Sequence, residues 1–194
     1  LAEVNRIKDA NPALYELIGN PWVLNKDSGI AHKHKLENCH INVPTRVSDQ
    51  NYCMDVLVDP DCCELSDHIT GEHINGMVVI EAARQAFIGV TEVFFLDKND
   101  NFYFVLSNMN CTFSRFLFPI PIKIHYEVLH YERHARKGEI QVDFKVEARF
   151  IQTSENIACV ISGEFSLYQK EMMTQVEMKR AGESIEQFSV CEVL

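Results

Sequence analysis

Glu81, Arg84 and Gln85 fall at i, i+3 and i+4 of an otherwise apolar segment, so on a helix they share one narrow stripe. A carboxylate and a guanidinium inside a buried helix are costly unless they pair or face a cavity, which makes this stripe a candidate active site. As a general base, Glu81 would take a proton from an attacking hydroxyl or water. Apolar surroundings are expected to raise its carboxyl toward neutrality, as that task requires. The alternative is a structural ion pair with Arg84. The planar fork of Arg84 suits a phosphate or an acyl carbonyl. Gln85 either orients a carbonyl or faces water.

The run Gly71-Glu72-His73-Ile74-Asn75-Gly76-Met77 leads into that segment. A helix start offers unpaired N–H groups at the positive end of its dipole. The N–H of Gly76 or Met77 is therefore a candidate oxyanion contact, although Gly76 could serve only to permit a tight turn. His73 and His68 are candidates for proton transfer or for holding an acyl carbonyl. In His32-Lys33-His34-Lys35 two histidines could chelate a metal, but no further ligand is placed beside them. That run is expected to be a solvated basic patch, and no metal site is expected.

These residues need elements to hold them. Met77, Val78, Val79, Ile80, Ala82, Ala83, Ala86, Phe87, Ile88 and Val90 leave almost no wet face, which predicts a buried helix over roughly 75–93. Before it, Cys39–Val43 and Tyr52–Val58 alternate apolar and polar residues. After it come four strand candidates: Phe102 to Phe113, Ile122 to His130, Ile140 to Phe150 and Ile157 to Leu167. Such alternation marks antiparallel strands with one dry face. That face must be buried on something, and one helix is apolar enough. The expectation is an α+β hot-dog fold, an antiparallel sheet wrapped around one long central helix, over residues 31–169. Residues 1–30 read as a helical extension, with Asn11, Pro12 and Gly19 as cap, first-turn and terminating residues. Residues 170–194, rich in Met, Glu and Lys, read as a C-terminal helix or tail.

At 194 residues the chain suffices for one domain with a sizeable core. Its net charge of −10 argues against non-specific nucleic-acid binding. No apolar run is long enough for a membrane span and no signal peptide is evident. The seven cysteines lack a regular framework and are expected to be free thiols in a reducing cytosol. The adjacent pair Cys62-Cys63 is the one hint of metal or redox chemistry.

Gly71-Glu72-His73-Ile74-Asn75-Gly76-Met77 followed by Glu81-Ala82-Ala83-Arg84-Gln85 resembles the signature of the AfsA-like (A-factor biosynthesis) hot-dog family, roughly G-D-H-x-P-G-M-x-x-x-E-A-x-R-Q. The family's P-G stands here as Asn75-Gly76. Ala31-His32-Lys33 with Glu37-Asn38-Cys39-His40-Ile41 is similar to the family's opening. More distantly, Asp67-His68 through Glu81 is similar to the β-hydroxyacyl-carrier-protein dehydratases and their thioesterase relatives. There a loop histidine and a helix carboxylate do the acid–base work.

The resemblance implies an enzyme acting on acyl thioesters of a carrier protein or coenzyme A. A β-ketoacyl group would move to a hydroxyl acceptor, with Glu81 as base, Arg84 holding the acceptor or its phosphate, and Gly76 or Met77 stabilising the oxyanion. A dehydratase, a thioesterase or a non-catalytic acyl-binding module are the alternatives. The resemblance also implies a homodimer with the pocket between subunits, and no tightly bound cofactor beyond the phosphopantetheine that carries the substrate. Because carrier proteins are acidic and so is this chain, docking is expected at a local basic patch, around Lys33–Lys35 or Arg133–Lys137.

Overall fold

The computed structural model describes residues 26–59, 61–66, 72–97, 101–136, 139–152 and 156–191. The expected N-terminal helix, His68, Lys137 and the connection at 153–155 lie outside them.

The chain runs β1 (Thr45–Arg46), β2 (Asn51–Asp55), a single turn α1 (Cys63–Ser66) and the long helix α2 (Gly76–Phe94). Four long strands follow: β3 (Phe102–Phe113), β4 (Lys123–Arg136), β5 (Glu139–Ile151) and β6 (Ile157–Gln169). A last helix, α3 (Lys170–Cys191), ends the described chain. All strand pairings are antiparallel, in the order β1-β2-β4-β5-β6-β3. The three-strand meander β4-β5-β6 forms the middle and β3 ends the sheet.

The period of two in the sequence becomes one dry face. Ile124, Tyr126 and Val128 of β4, Val142, Phe144, Val146, Ala148 and Phe150 of β5, and Cys159, Ile161, Phe165 and Leu167 of β6 are all buried. The register slips between Val128 and His130, and past that point Leu129 and Tyr131 are exposed. At the start of β6 the buried residue is Ala158 rather than the expected Ile157, which is exposed.

This dry face closes on α2. Phe87 stacks on Phe165 with ring centroids 5.9 Å apart, and Phe165 stacks on Phe144 at 5.0 Å. On another side of α2 lies the segment before β1, where Ile30, Ile41 and Pro44 approach Gly89 closely. A Cβ at that glycine would meet Ile30 Cγ2 at 2.8 Å. The helix is thus covered by the sheet and by the lead-in segment, and it has no broad wet face. Met77 is the exception to the expected all-round burial: it sits at the first turn and is exposed.

Residues 39–43 do not form the strand expected from their alternation. They make two isolated bridges, Lys26 to Asn42 and Ile41 to Val56. Cys39 N–H bonds the Leu36 carbonyl, and the backbone groups of His40 are taken by the Gln85 side chain and by Leu57. The helix α3 touches the sheet at its first turns, where Tyr103 donates from its hydroxyl to Glu177 at 2.6 Å and Asn101 bonds Glu171. No helix among the described residues is long and apolar enough to cross a membrane.

Candidate active site

The pair expected on α2 is formed. Arg84 Nε donates to Glu81 Oε2 at 2.8 Å and Arg84 Nη2 to Oε1 at 2.7 Å, a two-pronged contact that fixes both planes. Glu81 keeps 16% of its side chain exposed and Arg84 35%. The pair is half-sheltered, neither deep in the core nor on open surface.

Lys33 joins it, with Nζ 2.8 Å from Glu81 Oε1. The expected solvated patch is therefore corrected at this residue. The reason is local. Lys33 N–H bonds the Ser28 carbonyl and His32 N–H bonds the Gly29 carbonyl, the paired pattern that ends a helical turn, with His32 as the left-handed residue. His32 has φ 51°, and it is held there by a bond from its ring to Glu92 on α2. The turn directs the next residue, Lys33, at the helix stripe. The family-like His32-Lys33 pair was the available sequence signal, but charge patterning alone read it as solvent-facing.

Gln85 adds the fourth donor, Nε2 to Glu81 Oε1 at 2.9 Å. It is wholly buried. The same Nε2 donates to the Asn38 carbonyl at 2.8 Å and Oε1 accepts from His40 N–H at 2.7 Å. With both polar ends occupied, Gln85 neither faces water nor has an end free for a substrate carbonyl. It positions the 38–40 segment against α2 and braces Glu81.

The expected raised carboxyl at Glu81 is corrected too. Burial pushes it up, but hydrogen bonds from Arg84, Lys33 and Gln85 outweigh that and hold it at about 2. Three of the four donor contacts converge on Oε1 and one reaches Oε2. Glu81 is thus an ionised anchor for two cations, and the site as a whole carries a single net positive charge. Among the described residues, Arg84 Nη1 makes no hydrogen bond.

At the N-terminus of α2 lies a second feature, a cleft of ≈ 410 Å³ lined by His73, Gly76, Val79, Arg115, Phe116 and Leu117 among others. His73 is half-buried there, its ring 4.7 Å from that of Phe116. Asn75 caps the helix through Oδ1, which accepts from Met77 N–H at 2.9 Å. Met77 N–H is therefore taken and its side chain points to solvent, which corrects the expectation of an oxyanion contact there. Gly76 N–H has no partner among the described residues and lines the cleft. The five residues from Gly76 to Glu81 amount to about 140° around the helix and ~7 Å along it. Within one chain the cleft and the Glu81 cluster occupy different sides of α2.

The architecture has known counterparts. The A-factor biosynthesis hotdog domain family matches residues 27–162. A crystal structure of a mutant thioesterase from Pseudomonas aeruginosa superposes with TM-score 0.50 at 14% identity, covering 76% of this chain and 97% of that one. A thioesterase from Haemophilus influenzae gives TM-score 0.44 at 13% identity, covering 66% and 77%. At 14% identity the likeness to the Pseudomonas aeruginosa thioesterase speaks for the fold alone. No curated relative matches the chain.

Proposed function

The chain belongs to the A-factor biosynthesis hotdog family, and from that premise we propose that it processes acyl thioesters by acyl transfer. The donor is a (β-keto)acyl group on the phosphopantetheine of a carrier protein or of coenzyme A, and the acceptor is a hydroxyl compound bearing an anionic group. The observation that carries this reading is the Arg84–Glu81–Lys33 cluster. It is a pair of cations anchored on a strongly acidic, ionised carboxylate, suited to holding a phosphate and unsuited to proton abstraction by Glu81.

In this reading the thioester enters the apolar cleft and its carbonyl oxygen takes the hydrogen bond of Gly76 N–H. The acceptor hydroxyl attacks the carbonyl carbon, His73 receives the hydroxyl proton, the carbon–sulfur bond breaks and the thiolate leaves with that proton. Arg84 and Lys33 hold the acceptor's anionic group. The separation of cleft and cluster around α2 favours a homodimer in which each subunit supplies one of the two to a shared site. β3 ends the sheet and presents the exposed Leu106 and Phe113, which suits pairing with a second copy.

The test is to incubate the protein with β-ketoacyl thioesters and, separately, β-hydroxyacyl thioesters, with and without a phosphorylated hydroxyl acceptor such as dihydroxyacetone phosphate, beside Arg84→Ala. Acceptor-dependent thiol release that Arg84→Ala abolishes supports the transferase. Equal release without acceptor assigns a thioesterase, loss of water from β-hydroxyacyl thioesters a dehydratase, and binding without turnover an acyl-binding module. Any of these last three overturns the proposal.

A further inference from the structure

His40 is wholly buried, and its ring faces two acceptors. Nδ1 lies 3.1 Å from the Leu57 carbonyl and Nε2 lies 3.1 Å from Glu64 Oε2. A neutral imidazole has one N–H. One of these contacts is therefore acceptor against acceptor unless the ring carries a second proton or a cation stands at Nε2. The buried thiol of Cys62 completes a cluster in which a ring nitrogen of His40, Cys62 Sγ and a Glu64 oxygen lie within 4.8 Å of one another. We propose that His40, Cys62 and Glu64 form a binding site for a divalent zinc-class ion, with a fourth position left for water.

The donor set selects the ion. Imidazole nitrogen, thiolate sulfur and carboxylate oxygen together suit zinc, whereas a thiolate is a poor ligand for magnesium or calcium. The charge balance favours binding in a dry place. A neutral imidazole, a thiolate and a carboxylate together carry a charge of −2, which an ion of charge +2 cancels, so the loaded site is neutral, as a buried place requires.

The ligands are also preorganised. His40 N–H is held by Gln85, its carbonyl accepts from Leu57 N–H at 2.8 Å and its Nδ1 by the Leu57 carbonyl. That last bond sets the tautomer that leaves Nε2 to the ion. Cys62 and Glu64 share the turn at α1, whose Glu64 carbonyl accepts from Asn75 Nδ2 at 3.2 Å. The same Asn75 caps α2. An ion here would brace the 62–64 turn between the 38–40 segment and the start of the central helix.

The experiment uses the full chain, stripped with a chelator, titrated with Zn²⁺ alone and with Co²⁺ as an optical reporter. The expected result is one ion per chain, a tetrahedral cobalt spectrum with a thiolate-to-cobalt charge-transfer band, and release of the thiol proton on binding. Cys62→Ser should remove the band and weaken binding more than about a hundredfold. Cys63→Ser should keep both. Glu64→Gln, an isosteric change at a partly exposed side chain, should weaken binding but keep the band. Failure of the stripped chain to bind, a cobalt spectrum without the thiolate band, or unchanged affinity in Cys62→Ser overturns the proposal.

Discussion

Lys33 Nζ sits 2.8 Å from Glu81 Oε1, so a residue of the lead-in segment supplies half the positive charge of the central helix's half-sheltered cluster. Removing it tests whether that charge binds an anion. Lys33→Met keeps the aliphatic length and takes the net charge of the cluster to zero. A charge-assisted hydrogen bond is worth about 1.5–3 kcal/mol, or roughly ten- to a hundredfold in binding. The expected outcome is a rise of that size in KM for a phosphorylated acceptor, with kcat little changed. Steady-state kinetics with varied acceptor measures both, and an unchanged KM removes Lys33 from acceptor binding.

The depressed carboxyl of Glu81 makes stability depend on pH in a stated window. Its folded value, about 2, lies below the ordinary 4.5, so the stabilisation is complete above about 4.5 and is lost as pH falls toward 2. The ceiling on this contribution is roughly 3 kcal/mol. Denaturant titrations of the wild type and Glu81→Gln should differ most near neutral pH and converge across that interval. A gap that stays constant down to about pH 2.5 would contradict the anchored-carboxylate description.

Sequence pattern reveals the frame of this molecule more readily than its site. The alternation in Ile140–Phe150 and the all-round apolarity of 76–90 each depend on a residue and its near neighbours, so both survive into the structure as a dry strand face and a buried helix. The Arg84–Glu81 contact is local as well, one helical turn apart. What failed was set by distant chain. Lys33 and Gln85 take their roles from partners 48 and 45 residues away, and together with the neighbouring Arg84 they reverse the direction in which burial alone moves Glu81. The alternation at 39–43 looked like a strand, but Gln85 and Leu57 claim the groups a sheet neighbour would have taken. His40, read as the wet side of that strand, is consequently buried.

Gln85 provides the sharpest test of this tertiary bracing. Gln85→Leu keeps the volume but leaves the His40 N–H, the Asn38 carbonyl and one Glu81 contact without their partner. Unsatisfied buried groups cost about 1–3 kcal/mol each, so a loss of roughly 2–4 kcal/mol is expected. Amide exchange should accelerate at residues 38–41 well before it does in β5. Uniform acceleration across the sheet would instead show that Gln85 contributes only to global stability.

The helix–sheet contact itself depends on a missing side chain. Gly163 lies in β6 between Val146 of β5 and Met109 of β3, and a Cβ there would meet Phe87 Cε2 at 2.5 Å and Cζ at 2.9 Å. The ring has little room to retreat, because it is stacked on Phe165 and lies 6.1 Å from the Tyr126 ring. Gly163→Ala should therefore strain the core by about 1–3 kcal/mol, read as a lowered thermal midpoint. In a Phe87→Leu background the clashing ring atoms are gone, and the same glycine change should cost little. A double-mutant cycle gives the coupling directly. Equal costs in both backgrounds would place the strain in the β6 backbone rather than at the ring, and the close seating of α2 on the sheet would need another cause.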